Sequence, residues 1–216
     1  MNKFFAWFGL PGTFILTMLM SALALVLALL RPSKHRWLCF AAMALSSIGD
    51  LFMTGFMDLD EIFSNSFTIG AVLFMAAHVM YFFTYRTIIK KKGYKIFNGG
   101  IVAALAIAAV CFVYFTIMCV QRQNFGMYPL CMIYLCMIIS SVSMIFSYTW
   151  SDFKVRPMVC LAAIGAVSLY LSDLIIGLDV LAGNTQFNFL IWWLYPIGQI
   201  LIIANAECFK KEGAVK

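Results

Sequence analysis

Charge is what this chain most lacks. Its 216 residues include 15 Lys or Arg, 9 Asp or Glu and 2 His, so 11% are charged, where a soluble domain carries roughly 25%. With 64% of residues hydrophobic, no water-soluble fold could hide the apolar surface. Several motifs are missing too. The seven cysteines (Cys39, Cys111, Cys119, Cys131, Cys136, Cys160, Cys208) form no CxxC pair and no loop framework, which excludes a disulfide scaffold and reads as small apolar packing residues. Two histidines, His35 and His78, are too few for a usual zinc site with three protein ligands. There is no GxSxG, so Ser46, Ser47, Ser168 and Ser172 are ordinary polar residues of helices rather than nucleophiles. No nucleotide-binding glycine pattern, transmembrane GxxxG or low-complexity segment occurs.

What is present is a succession of long apolar runs. Crossing the hydrocarbon takes about 20 residues at about 1.5 Å each. Five stretches free of Asp, Glu, Lys and Arg are long enough, and two more qualify if each is allowed one acid, Asp50 and Asp173. The expected fold is therefore all-α, one polytopic bundle over residues 1–216, with about seven transmembrane helices near 10–30, 37–57, 66–86, 98–120, 127–150, 157–178 and 187–207. The segment before Ala24 is read as part of the first span rather than a cleavable signal, because its apolar run continues to Leu30. Pro11, Pro32 and Pro157 fall near helix ends, whereas Pro129 and Pro196 are expected to interrupt spans. Trp7, Phe8, Trp37, Trp150, Trp192 and Trp193 form an aromatic belt near the span ends.

The net charge of +6 is lopsided. Arg31, Lys34 and Arg36 follow helix 1, Arg86, Lys90, Lys91, Lys92 and Lys95 follow helix 3, Lys154 and Arg156 follow helix 5, and Lys210, Lys211 and Lys216 follow helix 7. The other side holds only Lys3 and Arg122, with the acidic run Asp58, Asp60 and Glu61. The positive-inside rule then places the amino terminus outside and the carboxyl terminus in the cytoplasm. The basic residues are membrane-surface groups, and no nucleic-acid partner is implied.

Asp50 and Asp173 need a reason to be where they are. A carboxylate at mid-membrane costs roughly 2.5 to 3.5 kcal/mol, and no Lys or Arg lies inside a span to offset it. Both acids fall in the outer half of outward-running helices at nearly one depth. The inward-running helices add His78 and Tyr81, three residues apart, and Tyr195 and Gln199, four apart, each pair on one helical face. If these faces converge, the bundle holds two carboxyls, an imidazole, two phenols and an amide. Helix-to-helix adhesion explains any one of these groups, but two unneutralised acids at one depth point to an active site or ion site. Two close carboxyls resist double ionisation, so one keeps its proton near neutrality and the pair can serve as acid and base.

The chain resembles the YhhN family, whose best-described members are the lysoplasmalogenases. The resemblance is carried by Ser47-Ile48-Gly49-Asp50, by Ile69-Gly70-Ala71 leading to Ala77-His78-Val79-Met80-Tyr81, by Tyr170-Leu171-Ser172-Asp173 and by Tyr195-Pro196-Ile197-Gly198-Gln199. Many members are predicted to have eight helices, against seven here. The resemblance implies hydrolysis of the vinyl ether bond of lysoplasmalogen to a fatty aldehyde and a glycerophospho-base, with Asp50 and Asp173 as the catalytic pair. It further implies that His78, Tyr81, Tyr195 and Gln199 bind substrate or support the acids, without metal or cofactor. The expected substrate is a lipid entering sideways from the bilayer, and the expected location is the inner membrane of a bacterial cell. A proton-coupled carrier and a non-catalytic lipid-binding protein remain as other uses of the same residues.

Overall fold

The structure is a computed structural model that describes residues 3–53, 65–123, 125–183 and 185–205, with side chains from Phe14 onward except those of Arg122 and Ala182. The acidic run Asp58, Asp60, Glu61, the cationic tail Lys210, Lys211, Lys216 and Cys208 lie outside the described residues, as do the side chains of Lys3, Trp7, Phe8 and Pro11.

Seven α-helices follow one another with no strand among the described residues: α1 (Lys3–Leu30), α2 (Lys34–Met53), α3 (Ser66–Lys91), α4 (Gly99–Arg122), α5 (Tyr128–Asp152), α6 (Cys160–Ala182) and α7 (Asn188–Ile203). Helices α2 to α6 are long and apolar enough to cross a membrane. The 16 residues of α7 rise about 24 Å at about 1.5 Å each, somewhat short of the roughly 30 Å hydrocarbon core. This is a multi-pass membrane protein.

The helix ends follow from local chemistry. Asn65 and Asn98 cap α3 and α4 by accepting from the backbone N–H of Thr68 and Gly100 at 3.1 and 3.0 Å, satisfying donors that a helix start leaves open. Gly183 ends α6 in the left-handed region at φ 63°, where the absence of a Cβ removes the steric penalty. Pro157 opens a short 3-10 turn, Pro157–Val159, that leads into α6. Pro129 sits in the first turn of α5, so the expected interruption there does not arise, because a first-turn N–H has no helical acceptor to lose. Pro196 does lie inside α7. His35, just outside the span expected near 37–57, is buried in the first turn of α2.

The helices close into a ring in the order α1, α2, α3, α5, α6, α7 and back to α1, while α4 packs outside against α5 and α6. Two glycine contacts bring neighbours together. A Cβ on Gly198 of α7 would stand 2.8 Å from the backbone N of Leu169 and 2.9 Å from the carbonyl O of Gly165 on α6. A Cβ on Gly70 of α3 would stand 3.2 Å from the carbonyl O of Gly49 on α2. Small residues that let backbones approach are the usual basis of helix pairing in membranes, where there is no hydrophobic gain from leaving lipid. The outer surface is apolar: Val102, Val110, Val113 and Val120 of α4 are exposed, and Trp37, Trp150 and Trp193 project from the bundle.

One end of the bundle gathers the basic loops. Buried Asp152 accepts from Lys92 Nζ at 3.2 Å, from the hydroxyl of Tyr94 at 2.5 Å and from Arg156 Nη2, so the chain following α3 and that following α5 meet there. Asn205, just after α7, donates to the Tyr85 hydroxyl at 3.2 Å near the same end of α3. This is the end that the cation bias marks as cytoplasmic.

Candidate active site

All six helices of the ring contribute a polar side chain to one buried cluster. Asp50 of α2 accepts a hydrogen bond from the Tyr195 hydroxyl of α7 at 3.0 Å, and Thr17 of α1, whose hydroxyl donates to the Phe14 carbonyl at 3.0 Å, stands beside it. Gln199, one turn beyond Tyr195 and beside it, accepts from the Tyr81 hydroxyl of α3 at 2.5 Å. Two hydrogen-bonded pairs, Tyr81 with Gln199 and Tyr195 with Asp50, therefore lie side by side along α7. The four-residue spacing puts Tyr195 and Gln199 on one face of α7, and the close α6–α7 contact at Gly198 holds that face toward the interior.

The second carboxyl has different partners. Asp173 Oδ2 of α6 lies 3.2 Å from His78 Nε2 of α3, and the Tyr134 side chain of α5 stands beside Asp173. On its other side the His78 ring meets Ser141 of α5, with Nδ1 to Oγ at 3.0 Å. His78 is also held edge-on between Tyr134 and Tyr81, with ring centroids 6.0 and 6.4 Å away. Asp50 and Asp173 are near enough to feel one another's charge, and Tyr134 and Tyr195 each stand within electrostatic reach of both. Asp50, Asp173, His78, Tyr81, Tyr195 and Gln199 are all buried.

Next to this cluster lies an apolar cavity with about 610 Å³ of empty space, counting its open mouth. It runs between α3, α5 and α6, with Phe115 of α4 on its outer side. Phe67, Leu130 and Val180, from the helix ends opposite the Asp152 end, line it, and Asp173 and Tyr134 are on its wall. Asp50 is not among its lining residues. The cavity is thus apolar, with one carboxyl on its wall. Among the described residues no three His, Cys, Asp or Glu side chains gather as a metal-ligand set.

A family model for the YhhN family matches residues 12–206. The chain belongs to the YhhN family. Neither a curated protein nor a solved structure matches it. The four YhhN-like motifs read from the sequence supply Asp50 on α2, His78 and Tyr81 on α3, Asp173 on α6, and Tyr195 and Gln199 on α7, so the structure brings every one of them into a single cluster.

Sequence reasoning missed Thr17, Tyr134 and Ser141. Tyr134 and Ser141 are seven residues apart, two turns along one face of α5. Within a helix containing several Ser and Tyr, that spacing carries a signal only once the face is known to meet α3 and α6.

Proposed function

We propose that this YhhN-family protein is a membrane-embedded hydrolase of ether lysophospholipids that cleaves the vinyl ether bond of lysoplasmalogen by acid–base chemistry between Asp50 and Asp173. The observation that carries this reading is the buried pair of carboxyls within electrostatic reach of one another, one of them on the wall of an apolar cavity. In the reaction a carboxylic acid protonates the vinyl carbon remote from the ether oxygen, leaving an oxocarbenium ion. The ionised carboxyl faces that positive charge and takes a proton from the water that adds to it. The resulting hemiacetal breaks its bond to the glycerol oxygen, its hydroxyl proton passes to that oxygen, and the fatty aldehyde leaves. Water is the only co-reactant.

The apolar cavity suits the alkenyl chain, arriving from the bilayer between α3, α5 and α6. Phe67, Leu130 and Val180 carry its lining toward the end opposite the basic loops, which suits a polar head group held at that aqueous boundary. Tyr195, Tyr81 and Gln199 support Asp50, and His78 and Tyr134 support Asp173. The cation bias and the family resemblance favour the inner membrane of a bacterial cell as the location.

Purified protein in mixed micelles, incubated with a panel of alkenyl, alkyl and acyl lysophospholipids, should release fatty aldehyde from the alkenyl substrates alone, with or without a strong chelator. Mass spectrometry for aldehyde and for the glycerophospho-base reads the result. Absence of aldehyde from every alkenyl lipid would overturn the hydrolase reading, and uptake of a solute driven by a proton gradient in proteoliposomes would replace it with a carrier.

A further inference from the structure

The hydrogen-bond partners of His78 decide more than its orientation. Ser141 Oγ lies 2.8 Å from the carbonyl O of Ile138, to which it donates, and 3.0 Å from His78 Nδ1. A hydroxyl has one hydrogen. Both contacts are hydrogen bonds only if Ser141 gives its proton to the carbonyl and accepts one from Nδ1, so Nδ1 carries a hydrogen. In a neutral ring Nε2 is then a bare acceptor facing Asp173 Oδ2 at 3.2 Å. That contact requires one further proton, placed either on Asp173 as a carboxylic acid or on Nε2 as an imidazolium beside a carboxylate. In both placements His78 and Asp173 together hold one mobile proton.

We infer that the His78–Asp173 pair is the proton donor on the cavity wall, that Ser141 is the positioning residue that keeps it so, and that Asp50 takes the carboxylate role. This rests on the hydrolase reading for its chemical use, but the proton arrangement itself stands apart from it. Asp173 lines the cavity and Asp50 does not, which puts the donor beside the alkenyl carbon. Asp50 is the acceptor in its bond with Tyr195, as suits a carboxylate. The proton that Asp50 takes from water replaces the one given up by the pair once it passes back between the two acids, so each turnover restores the starting state.

The chain has only two histidines, which makes the test direct. Protein labelled with ¹⁵N-histidine gives two ring systems, assigned by the signals that remain in His35→Gln or by those that vanish in His78→Gln. Either variant suffices for the assignment. The expected spectrum of His78 shows Nδ1 protonated, alone or together with Nε2. A ring protonated at Nε2 alone would overturn the inference, whether or not any lipid is hydrolysed. Failure of lipid hydrolysis with Nδ1 protonated would instead leave the proton arrangement standing and remove the hydrolase reading. For turnover, Ser141→Ala should lower kcat about tenfold, the worth of one hydrogen bond near 1.4 kcal/mol, with KM unchanged. Ser141→Thr, which keeps the hydroxyl, should recover most of it. Equal loss in folded Ala and Thr variants, with the histidine spectrum unaltered in Ala, would overturn the positioning role of Ser141.

Discussion

At the scale of single residues, a buried carboxyl is stabilised only by the groups pointed at it, and the two aspartates are supplied differently. Asp50 receives the Tyr195 hydroxyl with Thr17 beside it, while Asp173 sits against His78 and Tyr134. Replacing either with Asn keeps the size and part of the hydrogen bonding but removes a group that can pass a proton. Asp50→Asn and Asp173→Asn should each remove most aldehyde release, while thermal unfolding in detergent stays level or moves up, because a neutral amide is less costly to bury than an acid. Near wild-type turnover in both variants would sink the catalytic pair. Tyr195→Phe is a finer probe. It removes the 3.0 Å hydrogen bond to Asp50 with almost no change in volume, and a lost bond to a charged group is worth about 1.5 to 3 kcal/mol. We expect kcat to fall at least tenfold with KM little changed, measured by initial rates on an alkenyl lysolipid. A change confined to KM would mean that Tyr195 binds the head group instead.

At the scale of elements, α7 is the helix whose placement matters most to Asp50, because it carries both Tyr195 and Gln199. It is held by backbone contact rather than by long side chains. A methyl at Gly198 would meet the Leu169 amide N and the Gly165 carbonyl of α6, and neither can swing aside as a side-chain end would. Gly198→Ala should therefore push α7 from α6, costing about 1 to 3 kcal/mol of stability as overpacking does, and lowering activity further than the loss of folded protein explains. Unfolding midpoints and specific activity per folded molecule separate the two effects. The Asp152 cluster makes a contrasting case. Asp152 joins the chain after α3 to that after α5 through Lys92, Tyr94 and Arg156, far along α5 from Tyr134 and Ser141. Asp152→Asn should lower stability by about 1 to 3 kcal/mol, since the cations keep some exposure and water takes over part of the lost pairing. The kcat of the protein that remains folded should be unchanged.

At the scale of the whole molecule, one closed ring of six helices surrounds the polar cluster, and α4 stays outside it. An enclosed ring buries both acids, and an apolar cavity between α3, α5 and α6 reaches Asp173. Thirteen of fifteen cations lie on one side of the sequence-derived topology, and the meeting of Lys92 and Arg156 on Asp152 agrees with that arrangement. Reporter fusions after Lys95 and after Lys211 should both read cytoplasmic, and one after Glu61 external. Opposite readings at Lys95 and Lys211 would overturn the orientation.

The sequence by itself determined the number of helices, because each span must bury about 20 residues of backbone in hydrocarbon and no other structure satisfies its polar groups there. It also singled out Asp50 and Asp173, since a charge in that setting stands out by its cost, and Tyr195 and Gln199 through their spacing on α7. The family motifs were legible for the same residues. Only the tertiary structure decided that α4 leaves the ring, that Asp173 rather than Asp50 borders the cavity, and that Thr17, Tyr134 and Ser141 complete the cluster. These helices are apolar on nearly every side, so hydropathy gives no preferred face to aim inward. Which face turns in is set by close backbone contacts such as Gly198 against Gly165 and by hydrogen bonds between helices such as His78 to Ser141, and both depend on residues far apart in the chain.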